Sequence, residues 1–136
     1  MMLNKAKMKG VFFSAGLFLA FLISACGTSY EEPETAIDAG RQFISATYNG
    51  NFKRAGQLIG GDEDDRTILE QNIEKDFRAR DGFGKEALSK ASIQIKEIKT
   101  IDSTTTLLYY TNAYNNKVSE LEIRKIAGLW RVNLEK

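Results

Sequence analysis

Leu121-Glu122-Ile123-Arg124-Lys125-Ile126-Ala127-Gly128-Leu129-Trp130-Arg131-Val132 is a strand, a tight turn and a second strand. Apolar Leu121 and Ile123 alternate with charged Glu120, Glu122 and Arg124, the period of a strand with one wet face. Ala127-Gly128 supplies the turn. Trp130, Val132 and Leu134 then fall on one face, and Trp130 is expected to lie buried under the helical layer. Upstream, residues 104–114 form another strand. Leu108, Tyr110 and Tyr114 lie on one face, with Leu107, Tyr109 and Ala113 on the other. Asn115-Asn116 is the hairpin turn leading into a strand over residues 118–126. Before it, Ile93 and Ile95 alternate while Ile98 and Ile101 fall out of step, which predicts a bulge at Lys96-Glu97.

Ahead of residue 91 the period is helical. Ile37, Gly40, Phe43, Ile44, Thr47 and Tyr48 share one side of a helix opening near Thr35 or Ala36. Asn49-Gly50 ends it, with glycine suited to the left-handed position after a helix. Asn51 caps a second helix that buries Phe52, Ala55, Leu58 and Ile59. Gly60-Gly61 comes next, and Asp62-Glu63-Asp64-Asp65 reads as an exposed acidic loop. Thr67-Ile68-Leu69-Glu70 has the form of a capping box, predicting a third helix to about Arg80 with Leu69, Ile73 and Phe77 inward. Asp81-Gly82-Phe83-Gly84 reads as a break, and residues 85–90 as a further turn of helix. Helices first and a run of strands after them predict an α+β domain over residues 35–136, with the helices packed on a curved antiparallel meander sheet.

The chain begins differently. Lys5, Lys7 and Lys9 precede an apolar run from Val11 to Ile23, too short for the roughly 20 residues of a membrane-spanning helix and of ordinary length for a secretory signal. It ends in Leu22-Ile23-Ser24-Ala25-Cys26. That stretch resembles the lipobox of bacterial lipoproteins, in which a branched apolar residue and two small residues precede the cysteine that is lipidated. The resemblance implies a signal peptide over residues 1–25, cleavage between Ala25 and Cys26, and acyl chains such as palmitate on Cys26. The partner so implied is the membrane, and the location is the cell envelope, at the outer membrane or cell surface in a Gram-negative host. Gly27 in place of aspartate after the cysteine agrees with outer-membrane delivery. Residues 26–34 then form a polar tether. Within it, Tyr30-Glu31-Glu32-Pro33-Glu34 resembles the acidic stretches that direct some lipoproteins of the Bacteroidetes to the cell surface.

Composition narrows the chemistry. Three of the 19 basic residues lie in the signal, so 16 basic groups face 18 acidic ones and the remaining chain carries a formal charge of −2. That balance offers no nucleic-acid surface. The chain has no histidine and a single cysteine, which removes zinc sites of the usual kind, Ser-His and Cys-His nucleophiles, and any intrachain disulfide. The acidic run at 62–65 does not match a calcium loop, because Arg66, Thr67 and Ile73 stand where a ligand, the glycine and the bidentate glutamate belong. No cofactor or metal is expected.

Tyr48-Asn49-Gly50-Asn51-Phe52 at the first helix boundary and the closing 121–132 strand pair give the layout a family likeness. It resembles the nuclear-transport-factor-2-like superfamily, over roughly residues 35–135. The likeness implies a cone: a curved sheet wrapped around a long helix with a pocket between. Tyr110, Tyr114 and Trp130 are the expected pocket residues. The superfamily includes enzymes, binding modules and adaptors, and its fold does not choose among them; the absence of histidine and of a free thiol favours a non-catalytic module that binds an envelope protein or a small apolar ligand. The alternative is a lipid-anchored isomerase- or dehydratase-like enzyme using a pocket acid and a tyrosine. No acid falls on an inward strand position, so no catalytic residue is assigned.

Overall fold

The computed structural model describes residues 30–135. The expected signal peptide, the expected cleavage site at Ala25 and Cys26, and the start of the expected tether lie outside the described residues. Residues 30–135 form an α+β domain: four helices, then a four-stranded antiparallel sheet in the order β1-β2-β3-β4. The sheet is open, a simple meander rather than a closed wall.

Helix α1 spans Ala36–Tyr48 and is capped by Thr35, whose hydroxyl accepts from the Asp38 amide at 3.1 Å. It stops at Asn49, and Gly50 takes a positive φ of 72°. Helix α2, Phe52–Leu58, opens on Asn51, whose side chain accepts from the Arg54 amide. Gly50 and Asn51 act as expected of them, and Thr35 proves to be the cap of the helix expected to open near it.

Helix α3 departs from expectation. It begins at Glu63, four residues before the capping box, and runs as α-helix over Glu63–Ile68, π-helix over Leu69–Glu74 and α-helix over Lys75–Ala79. The acidic run is therefore the first turn of a helix, where negative side chains oppose the positive end of the helix dipole. Nor is it wholly solvated: Asp65 is only 2% exposed. Its Oδ1 accepts from the amides of Leu134 and Glu135 at 2.7 and 2.9 Å, tying the start of α3 to the end of the sheet. Helix α4, Gly82–Ser89, is also longer than expected, because Asp81 accepts from the Gly84 amide at 2.7 Å and caps it.

Strand β1, Ile93–Asp102, pairs with β2, Thr105–Asn112. A register shift lies between Ile95 and Glu97, where the broken alternation predicted it, and a second between Thr100 and Asp102. Strand β2 ends at Asn112 rather than at Tyr114. The Asn112 side chain accepts from the amides of Tyr114 and Asn115 and curls the chain away. Strands β3, Ser119–Ile126, and β4, Leu129–Asn133, are joined through Ala127 and Gly128 at φ of 51° and 80°. Two successive positive φ values make the primed turn that matches strand twist.

The core lies between α1 and the inner sheet face. Phe43 and Ile44 of α1 and Leu58 of α2 pack with Leu108, Leu121, Ile123 and Val132. Gly40 sets the spacing: a Cβ there would lie 2.7 Å from Leu108 Cδ2 and 2.9 Å from Ile123 Cδ1. After α2, Ile59 forms a parallel bridge with Val132, and the Gly60 amide donates to the Val132 carbonyl, covering part of the β4 edge. Trp130 shares the inward face with Val132 and packs against the core, but it is only half-buried, with Lys125 Nζ 5.4 Å from its ring centre.

Candidate functional site

Several clefts border the helical layer, and two of them are lined by tyrosines. The first, about 550 Å³, lies on the side of α1 turned away from the sheet. Gly40 and Ile44 meet the sheet; Gln42, Ser45 and Asn49 fall roughly opposite them at 100° per residue and line this cleft. Its other wall is the N-terminal segment. Residues 30–34 do not run free as a tether would. Pro33 is buried. The Tyr30 hydroxyl accepts from Asn51 Nδ2 at 2.7 Å. Arg54 lies 4.8 Å from the Tyr30 ring centre and donates to the Glu31 carbonyl at 2.8 Å and to Gln42. Glu32 receives two parallel bonds from Arg131 of β4, at 2.9 and 3.1 Å. That fork-to-fork pair holds the Glu32 carboxyl below its ordinary pKa.

Arg54 is 5% exposed and has no carboxylate partner among the described residues. Its donors are met by uncharged oxygens and a tyrosine face. Sequence reading missed it, because an arginine on a short helix defaults to solvent.

The second cleft, about 340 Å³, lies between the C-terminal end of α1, α3, α4 and the far end of the sheet. Tyr48, Phe77, Leu88 and Tyr114 give it apolar walls, with Asp76 and Arg80 at its rim. Asn112, 6% exposed, donates to the Tyr48 hydroxyl at 2.6 Å and fixes that ring. Arg80 spans Asp76 at 3.3 Å and Tyr114, whose ring centre is 5.3 Å away, while its buried Nε has no partner.

The three expected pocket residues do not converge. Tyr114 lines the second cleft and is exposed. Tyr110 lies on the inner sheet face, half-buried, opposite Ser119; burial pushes its hydroxyl up to about 12. It is a neutral hydrogen-bonding group at any physiological pH. Trp130 pairs with Lys125, six residues along β3 from Ser119, a separation of about 20 Å. The space between α1 and the sheet that the cone likeness leaves open is filled by the core itself.

The inner sheet face carries no carboxylate. The one buried carboxylate among the described residues, Asp65, already accepts two amides. Among those residues no group of three His, Cys, Asp or Glu is placed to hold a metal, and no helix is long and apolar enough to cross a membrane. Comparison with known proteins finds no family model that matches the chain, no matching curated protein and no matching solved structure.

Proposed function

We propose that this chain is a lipoprotein of the bacterial cell envelope, held to the membrane through acylated Cys26, whose domain is a non-catalytic binding module. The observation that carries the reading is Leu22-Ile23-Ser24-Ala25-Cys26 closing an apolar run behind three lysines. Two acyl chains supply stable anchoring where one is marginal. The helices laid against an open antiparallel sheet support the coarse outline of a nuclear-transport-factor-2-like cone, here of four strands with a filled interior. Binding is then a property of the peripheral clefts. The second cleft, with its tyrosines and Phe77, suits a small apolar ligand or a partner's apolar side chain.

The enzyme alternative draws on the same cleft, where Asp76 sits with two tyrosines. Its side chain is 73% exposed and paired with Arg80. A carboxyl group shielded from water, on which isomerase chemistry depends, is absent from that cleft.

Metabolic labelling with a fatty-acid probe tests the anchoring. The wild-type chain is expected to take up the probe and Cys26→Ser to take up none. Equal labelling of the two removes the basis of the reading.

A further inference from the structure

We propose that the first cleft faces the membrane, and that docking of residues 30–33 fixes the domain with the outer side of α1 against the lipid headgroups and the outer sheet face turned away. This rests on acylation of Cys26 and adds to it an orientation and a contact surface.

The length of free chain sets the orientation. Were residues 27–34 all free, nine Cα steps from Cys26 to Thr35 would reach about 30 Å, and the domain could present any side to the bilayer. The described residues shorten that. Tyr30 is held by Asn51 and Arg54, Glu32 by Arg131, and Pro33 is buried. Four steps remain between Cys26 and the first docked residue, at most about 14 Å. The acyl chains place the Cys26 backbone at the headgroup level, a layer of about 5–8 Å on each side of the hydrocarbon. Tyr30 therefore cannot leave the immediate neighbourhood of the membrane, and the cleft it walls cannot either.

The surface presented there is polar and carries both signs of charge, with exposed Glu31 lining the cleft beside Arg41. Arg41 and Ser45 border the cleft and are exposed, as is Lys53 on α2. Arg54 lies beneath, buried and bonded to no carboxylate, though within Coulombic reach of Glu32. Such groups suit a layer of lipid phosphates. The tie points also differ in kind. Asn51 and Arg54 hold the segment to the helices, and Arg131 holds it to the sheet edge, so both layers are fixed relative to the anchor.

The full-length lipidated protein tests this. Acylated Cys26 offers no thiol, so a single introduced cysteine is a unique labelling site. Ser45→Cys places a fluorophore in the cleft. Glu120→Cys, exposed and opposite Tyr109 on the outer sheet face, places one about 20 Å away through the helix and sheet layers. Both proteins are reconstituted in phosphatidylethanolamine–phosphatidylglycerol vesicles carrying a nitroxide on a fraction of the headgroups. Quenching is expected to be several-fold stronger at position 45 than at 120. Inserting eight Gly/Ser residues between Ser29 and Tyr30, which leaves every docked contact in place, is expected to abolish the difference. Tyr30→Ala combined with Glu32→Gln is expected to do the same by releasing the segment. Equal quenching in the parent protein, stronger quenching at 120, or a difference that survives the insertion overturns the orientation. A chain that takes up no fatty-acid probe overturns the anchoring itself, and the orientation with it; a labelled chain with equal quenching overturns the orientation alone.

Discussion

Removing the Asp65 carboxylate should weaken the domain more than any other single change to an acidic side chain. Asp65 is 2% exposed, and one oxygen, Oδ1, accepts both the Leu134 amide at 2.7 Å and the Glu135 amide at 2.9 Å. Hydrogen bonds to a charged group are worth about 1.5–3 kcal/mol each, and buried donors left unmet add to the loss. Leu134 is half-buried and Glu135 exposed, so water reaches both amides once the tie is gone and the lower half of that range applies. Asp65→Ala is expected to cost about 3–4 kcal/mol. For a domain near 100 residues, 1 kcal/mol lowers the melting temperature by about 4–8 °C, so the expected fall is at least about 10 °C.

Asp65→Asn separates geometry from charge. The amide carbonyl retains an oxygen where Oδ1 stands, so both bonds persist without charge assistance, and the cost should be about 1 kcal/mol. Urea unfolding of the purified protein gives both figures, and amide hydrogen exchange at Leu134 and Glu135 locates the loss. Asp65→Ala within about 0.5 kcal/mol of wild type, the scatter of ordinary surface changes, would refute the reasoning. So would an asparagine variant as weak as the alanine one, because the carbonyl would then be doing nothing.

Gly40→Val should destabilise by about 2–3 kcal/mol, since overpacking against Leu108 and Ile123 exceeds any gain in helix propensity; a melting curve at or above wild type would show that the helix can lift off the sheet at no cost. Trp130→Ala should cost about 1–2 kcal/mol, less than the roughly 3–5 kcal/mol of a fully buried ring, because Trp130 is half-buried; urea titration decides between the two. Tyr48→Phe should lose about 1 kcal/mol through its bond to Asn112, with the same readout. Glu32→Gln should remove a contribution of at most about 1 kcal/mol, screened because the pair is exposed. The folded Glu32 value lies below its ordinary 4.5, so this contribution is complete above 4.5 and disappears as pH falls through the folded value. The gap between wild type and Glu32→Gln should stay constant down to about pH 5.5 and close in stronger acid. A gap that widens in acid would reverse the assigned sign.

What could be read from the sequence was whatever is encoded locally. Thr35, Asn51, Gly50 and the Ala127-Gly128 turn each act within a few residues, and the alternation of Leu121 with Ile123 survives folding unchanged. The bulge near Lys96 was legible for the same reason. The features that escaped all join distant segments. Asp65 reaches amides 69 and 70 residues away, Glu32 meets Arg131 across 99 residues, and Arg54 meets Glu31 across 23. A charged residue is assigned to solvent unless a partner is known, and no local pattern names a partner. The third helix shows a local pattern that misled: Thr67 reads as a capping box but lies inside a helix whose N-cap position is Asp62. The placement of the pocket residues depends on tertiary structure too, since strand alternation fixes which face Tyr110 and Trp130 share but not what fills the space above them.

Those long-range ties share one purpose. Arg54 and Arg131 fasten the segment next to the proposed anchor, and Asp65 fastens the last residues of the sheet. In an envelope compartment such closures are commonly made by disulfides, but a chain with one cysteine, committed to lipid in the proposed reading, has none to form. Charge-assisted hydrogen bonds supply the closure instead. The consequence for function is specific. The buried charged groups among the described residues, Arg54 and Asp65, hold chain ends to the helical layer, and neither faces an enclosed cavity. A catalyst of the isomerase kind needs its buried acid directed at substrate. Among the described residues the one buried acid is set against backbone amides, so in the proposed reading recognition falls to the open clefts around the helices.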